Sequence, residues 1–320
     1  MGGDYYDRPV QAANNNQGYS DQATKTLTQQ SLHKSNDPRR FAEEERKLSS
    51  KHKHPIVFAL DVSGSMGDWP KIIYDKLPMF YGQIMMQGYL SDPEVSFCAV
   101  DDTMDSAPLQ ITDFGQGVQI DQLISKVYLE SGGSGEESRH ETYELSALFY
   151  ARHCEFVNPE LPFFFITGDE YFYKTIKSAT VEKILGYKPK YDKEEAINVW
   201  KELTKKFNVF HLHKPYYAQV SKEELKPWEE ALGAERILEV KTPKACIDVI
   251  LGAIALVSGC RTMEGYVKDM ETRGQDKERI EEVLHSLRHL KPEFLESATV
   301  RFKPKESEVK KEEEKKEEDP

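Results

Sequence analysis

The sequence predicts an α/β fold built on a mainly parallel sheet, and three observations carry that expectation. The runs 56–60 (Ile-Val-Phe-Ala-Leu) and 161–167 (Leu-Pro-Phe-Phe-Phe-Ile-Thr) are short and apolar, the pattern of strands covered on both faces. Such runs alternate along the chain with segments whose apolar residues recur at helical spacing, which implies parallel strands joined by right-handed crossovers. Both runs also end in turn residues that carry a carboxylate, Asp61 in the first and Asp169 in the second.

Residues 1–37 are rich in Asn, Gln, Ser and Gly, bury too little apolar surface to offset ordering, and are expected to form a disordered arm. Asp37-Pro38 opens a short charged helix through Phe41 to Leu48, so residues 1–50 form arm and helix, and the basic stretch Lys51-His52-Lys53-His54 leads into the first strand. After the turn at 61–67, residues 69–90 have helical spacing (Ile72, Ile73, Leu77, Phe80, Ile84), but Pro78 lies among them. A proline inside a helix removes one backbone bond and clashes with the preceding turn, so a break near Leu77 is expected. Strands follow at 94–100 and 108–111; with no helix between them they pair antiparallel at one edge. A helix over 117–129, a Gly-rich loop at 131–138 and a helix from 141 to about 156 precede the apolar strand at 161–167. Helices over 175–185 and 192–206, a strand at 208–212, a helix over 221–231 and a strand at 236–240 come next. Thr242-Pro243 then supplies an N-cap and a first-turn proline for a helix through Val257. Ile280, Val283, Leu284, Leu287 and Leu290 mark one face of a helical extension over 259–302, and the Lys/Glu blocks from 303 onward read as a charged, solvated, disordered tail.

At 320 residues the chain has room for one domain of ordinary size with flanking segments. A net charge of −12 argues against nucleic-acid binding, because phosphate contact needs concentrated Lys and Arg. Cys98, Cys154, Cys246 and Cys260 are widely spaced in apolar stretches, which points to buried free thiols in a reducing compartment. No secretion or myristoylation signal follows Met1, and no stretch approaches the roughly twenty apolar residues of a membrane span, so a cytoplasmic protein is expected.

The turn after the first strand, Asp61-Val62-Ser63-Gly64-Ser65, offers one carboxylate and two hydroxyls at alternate positions. An all-oxygen set suits Mg²⁺ or Mn²⁺, whereas zinc takes His or Cys. The plainer reading makes Asp61 and Ser63 helix caps. The spelling Asp61-x-Ser63-x-Ser65 after such a strand resembles the first signature of the von Willebrand factor A (vWA) family, over about residues 54–258. The resemblance implies a Rossmann-like, doubly wound, six-stranded sheet with one antiparallel edge strand. It also implies a metal-ion-dependent adhesion site with ligands Asp61, Ser63, Ser65, Thr142 and Asp169, with Ser134 and Ser138 as alternatives to Thr142 and Glu137 or Glu141 nearby. Where the family writes Thr-Asp-Gly, this chain has Thr167-Gly168-Asp169, which displaces the carboxylate by one position. The function implied is protein binding through Mg²⁺ (or Mn²⁺), completed by an Asp or Glu of the partner, with no catalysis.

A haloacid dehalogenase-like phosphohydrolase with Asp61 as nucleophile is the sharpest alternative, but such enzymes place a second acid two residues on, where this chain has Ser63. No Gly-Lys-Ser/Thr follows Gly132-Gly133-Ser134-Gly135, and no Gly-x-Ser-x-Gly elbow occurs. A metal-independent scaffold or ATPase-helper subunit is the third class. His211 and His213 read as edge-strand histidines without a third ligand, and Trp200 and Trp228 as core.

Overall fold

The computed structural model describes residues 31–129, 139–215 and 222–302. Six strands build the main sheet: β1 (His54–Asp61), β2 (Pro93–Val100), β3 (Leu109–Ile111), β4 (Phe163–Gly168), β5 (Asn208–His213) and β6 (Ile237–Glu239). Their spatial order is β6-β5-β4-β1-β2-β3. All neighbours run parallel except β3, which pairs antiparallel with β2, Cys98 opposite Ile111. The central strands are buried on both faces, as their unbroken apolar runs require.

Alternation of side chains along the strands divides the core in two. Ile56, Phe58, Leu60, Phe163 and Phe165 face one layer; Val57, Ala59, Phe164 and Ile166 face the other. The first layer is covered by α2 (Trp69–Tyr74), α3 (Leu77–Gln87), α4 (Gln119–Ile124) and the long apolar α9 (Cys246–Ser258). On the second lie α1 (Arg39–Glu43), α5 (Tyr143–Arg152), α6 (Ser178–Leu185), α7 (Ala196–Leu203) and α8 (Lys222–Leu232). The break expected near Leu77 separates α2 from α3, and Pro78 sits in the first turn of α3, where its missing N–H costs nothing.

Several segments depart from the sequence expectation. Residues 31–50, assigned to the arm and its charged helix, are docked on the body. Phe41 is buried edge-on against Phe149, Asn36 donates to the Lys126 carbonyl at 2.8 Å, and Leu48–Ser50 pairs in parallel with Cys154–Phe156. The arm residues before 31 and the tail from 303 lie outside the described residues. The helices expected over 175–185 and 192–206 each lose their first turn to a two-stranded ribbon, Thr175–Lys177 against Lys193–Glu195. Arg152 holds that ribbon to α7 by bonding both Glu194 and Glu202. His211 and His213 are not on an edge strand: β5 lies between β4 and β6, both rings are buried, and His211 stacks on Trp228 at 3.9 Å.

The helical extension shares the core of the sheet. Tyr266 and Met270 of α10 (Met263–Thr272) and Val283 and Leu287 of α11 (Lys277–Leu287) pack into the layer over β1, and α12 (Pro292–Ala298) follows. Gly252 makes this approach possible, because a Cβ there would stand 2.6 Å from the Tyr266 ring. Beside it Asp248, fully buried in α9, receives Arg273 at 3.0 Å and Arg279 at 3.4 Å. Among the described residues no helix is long and apolar enough to cross a membrane. Cys98, Cys154 and Cys246 are buried free thiols and Cys260 is half-buried. Removing one partner of a buried ion pair leaves the others desolvated without compensation, so Asp248→Ala is expected to lower stability by about 3–5 kcal/mol in chemical denaturation. A loss below about 1 kcal/mol would show that the docking is apolar alone.

Candidate functional site

From β1 the chain passes to β2 on one side of the sheet, whereas β4 lies on the other. The strand order therefore reverses between β1 and β4, and in open α/β sheets the crevice outside the strand C-termini at such a point is where ligands bind. Asp61 ends β1, Gly168 ends β4 with Asp169 next, and Lys214 follows the last residue of β5.

The turn after β1 is built by Asp61 itself, whose Oδ1 accepts the Ser63 backbone N–H at 2.9 Å. Residues Gly64–Met66 form a single 3₁₀ turn, and Gly67 follows with φ +56°, a conformation that favours glycine. Ser63 Oγ and Ser65 Oγ are 3.0 Å apart, and Ser65 Oγ donates to Asp169 Oδ1 at 2.7 Å. A continuous path of oxygens thus joins the ends of β1 and β4. The other oxygen of Asp169 accepts Lys214 Nζ at 2.6 Å, and the same ammonium donates to the Ser65 carbonyl at 2.7 Å. Lys214 is anchored by its own N–H, which donates to the Gly168 carbonyl at 3.0 Å.

The one-residue displacement at Gly168 has a visible consequence. Strand alternation turns position 168, like Asp61, toward α5, and there the Tyr143 hydroxyl donates to Asp61 Oδ2. A Cβ at 168 would stand 2.7 Å from the Tyr143 ring, so glycine is what lets the phenol reach the carboxylate. Asp169 falls on the opposite face, where Ser65 and Lys214 meet it.

Of the five predicted ligands, Asp61, Ser63, Ser65 and Asp169 are thus brought together. Thr142 is buried just before α5, next to Tyr143, and its hydroxyl donates to the Asp101 carbonyl. The alternatives Ser134 and Ser138, and Glu137, lie outside the described residues. Tyr143, Lys214 and Asp101 were missed. Lys214 was within reach of the same reasoning, because the strand expected at 208–212 also ends at this rim.

Acidic groups are concentrated here. Burial, reinforced by Asp169, pushes the Asp61 carboxyl up to about 7. Burial with Asp105 and Asp61 nearby pushes Asp101 up to about 9, and burial with Asp61 and Asp101 nearby pushes Glu141 up to about 11. Burial raises Glu144 to about 8 although its carboxylate accepts the Tyr173 N–H at 3.0 Å. Glu141 Oε2 is buried without a hydrogen-bond partner. Burial raises all four above the ordinary carboxylate range, and a bound cation would favour their ionised forms. Among the described residues no three His, Cys, Asp or Glu side chains converge tightly enough to hold a metal ion by themselves. The rim offers two carboxylates and two hydroxyls, a donor set that fits a hard cation with water or a partner's oxygen completing its shell.

No protein-family model matches the sequence, and no curated protein does. Two crystal structures of the pilus adhesin SpaC from Lactobacillus rhamnosus GG, one in an open conformation, match this chain with TM-scores of 0.46. They are 10% and 9% identical to this chain over 66% of its length, and the chain spans only 31% of theirs.

The raised carboxyls give a pH dependence of defined sign. Each binds its proton in the folded state at pH values where the unfolded chain has released it, so stability is greatest at low pH within this window and falls as pH rises. In chelator, the thermal midpoint is expected to fall steadily between pH 5 and pH 9. A flat or rising profile would contradict the buried-acid account.

Proposed function

We propose that the protein is a divalent-cation-dependent protein-interaction module of the vWA type. The observation that carries this reading is the path of oxygens from Ser63 through Ser65 to Asp169, set beside Asp61 where the strand order reverses. The six-stranded order with a single antiparallel edge, and helices on both faces, supports a Rossmann-like, doubly wound arrangement. Asp61, Ser63, Ser65 and Asp169 would hold Mg²⁺ or Mn²⁺. When bound, the ion supplies an electrophilic position for an Asp or Glu of a protein partner. Thr142 would join only by giving up the Asp101 carbonyl.

The chain's own groups prepare that position. The Ser63 N–H and the Tyr143 hydroxyl orient Asp61, and Ser65 orients Asp169. Beside the strand end a groove of about 570 Å³, lined among others by Tyr171, Lys174, Glu195, Glu223, Lys226 and Glu230, offers aromatic contacts and charges of both signs to a partner's flanking residues. The four free cysteines support a reducing, cytoplasmic setting.

A phosphohydrolase is disfavoured because Asp61 is fully buried with both oxygens hydrogen-bonded, and Ser63 stands where a proton-shuttling acid is needed. A metal-independent scaffold is the second reading, and one observation favours it: Lys214 already neutralises Asp169.

The test is a Mn²⁺ titration followed by thermal unfolding and calorimetry. At a hundredfold excess over Kd a bound ion stabilises by about 2.7 kcal/mol, which corresponds to a rise of roughly 5–10 °C. Asp61→Asn is expected to abolish the rise. An unchanged midpoint in millimolar Mn²⁺, or the same rise in the variant, would overturn the reading in favour of the scaffold.

A further inference from the structure

We propose that Lys214 is a tethered counter-cation that competes with the divalent ion for Asp169, so that the rim site rests in a self-neutralised state and loads only when the ammonium withdraws. The inference rests on the cation-site reading above and concerns how that site is controlled.

The geometry is that of a built ion site. Asp169 has a fully buried carboxylate, and the Lys214 side chain retains 17% of its exposure. Nζ is shared between Asp169 Oδ2 at 2.6 Å and the Ser65 carbonyl at 2.7 Å, two oxygens from two different elements. The backbone bond from Lys214 to Gly168 fixes the root of the side chain beside β4, so the ammonium is presented by the fold and does not reach in from a distant surface. Strand alternation places Lys214 on the same face of the sheet as Phe210, Leu212, Phe165 and Asp169. Tyr143, His211 and His213 belong to the other face.

Charge counting gives the direction of the effect. With a divalent ion seated, Asp61 and Asp169 bring two negative charges, and Lys214 returns one. A divalent ion seated on the same carboxylates would meet an ammonium one hydrogen bond away from its ligand, and like charges in a partly desolvated crevice repel strongly. The flexible four-carbon stem lets the ammonium swing toward water without moving the backbone. Loading is therefore an exchange of one cation for another. An incoming partner carboxylate favours the exchange twice, by completing the ion's shell and by attracting the released ammonium.

The experiment compares Mn²⁺ affinity by calorimetry for the wild-type chain, Lys214→Gln and Lys214→Arg, and measures thermal stability of each in chelator. Lys214→Gln is expected to bind Mn²⁺ at least tenfold more tightly, and Lys214→Arg, which keeps the charge, to stay within about threefold of wild type. In chelator Lys214→Gln is expected to melt lower, and adding Asp169→Asn to it is expected to recover most of that loss, because the uncompensated carboxylate is then gone. This second comparison needs no metal and stands even if the single variant loads poorly. Equal or weaker Mn²⁺ binding by Lys214→Gln, or no loss of stability in chelator, would overturn the inference and leave the cation site standing. Absence of Mn²⁺ binding in all three chains would overturn the site itself, and the competition with it.

Discussion

The constraint on which this structure turns is the burial of acidic groups at the carboxyl end of a parallel sheet. Hydrophobic strands covered on both faces can place a side chain with great precision only near their ends; β1 ends on Asp61, and Asp169 directly follows β4. Burial of those groups costs free energy unless hydrogen bonds or a cation compensate. Asp61 is met by hydrogen bonds, Asp169 by a lysine, and Glu141 retains an oxygen with no partner. The surrounding acids retain their protons well above the ordinary carboxylate range. Acids held in this way would ionise if a cation entered the crevice.

Gly168 decides how that charge is distributed. Because it lacks a Cβ, the Tyr143 ring lies over the strand end and reaches Asp61; because it occupies one residue of a pleated strand, Asp169 is delivered to the other face. The two carboxylates are then approached from opposite sides of the sheet and are joined through Ser63, whose N–H meets Asp61 and whose hydroxyl meets that of Ser65 on Asp169. Asp61, held by a phenol, and Asp169, held by an ammonium, are in different electrostatic states, so they would respond differently to an arriving ion.

The fold was legible where local chemistry and burial agreed. The unbroken apolar runs at 56–60 and 161–167, and Pro78 at a helix start, act within a few residues, and the structure places strands and a helix boundary there. The antiparallel edge followed from the missing helix between 94–100 and 108–111. Elements that depend on distant partners were less readable. The strand Lys193–Glu195 has the composition of a helix start and exists because Arg152 and the opposing Thr175–Lys177 hold it. His211 and His213 looked peripheral because alternation alone does not say which strand flanks β5; β6 does, and Trp228 covers His211 from α8. Within the site, the signature residues Asp61, Ser63 and Ser65 lie on one turn and were visible as a pattern. Asp169 followed from the second strand end. Thr142 was assigned by its distance before a helix, which fixes its place along the chain but not the direction of its hydroxyl. Lys214 and Tyr143 come from a third strand and a helix, and their contribution is a matter of tertiary distance.

The most direct measurement is the anomalous diffraction of a crystal grown in Mn²⁺. The account predicts one strong peak in contact with Asp61, Ser63, Ser65 and Asp169, with the Lys214 ammonium displaced from Asp169. A map without a peak at this rim, and with Lys214 still seated on Asp169, would contradict it.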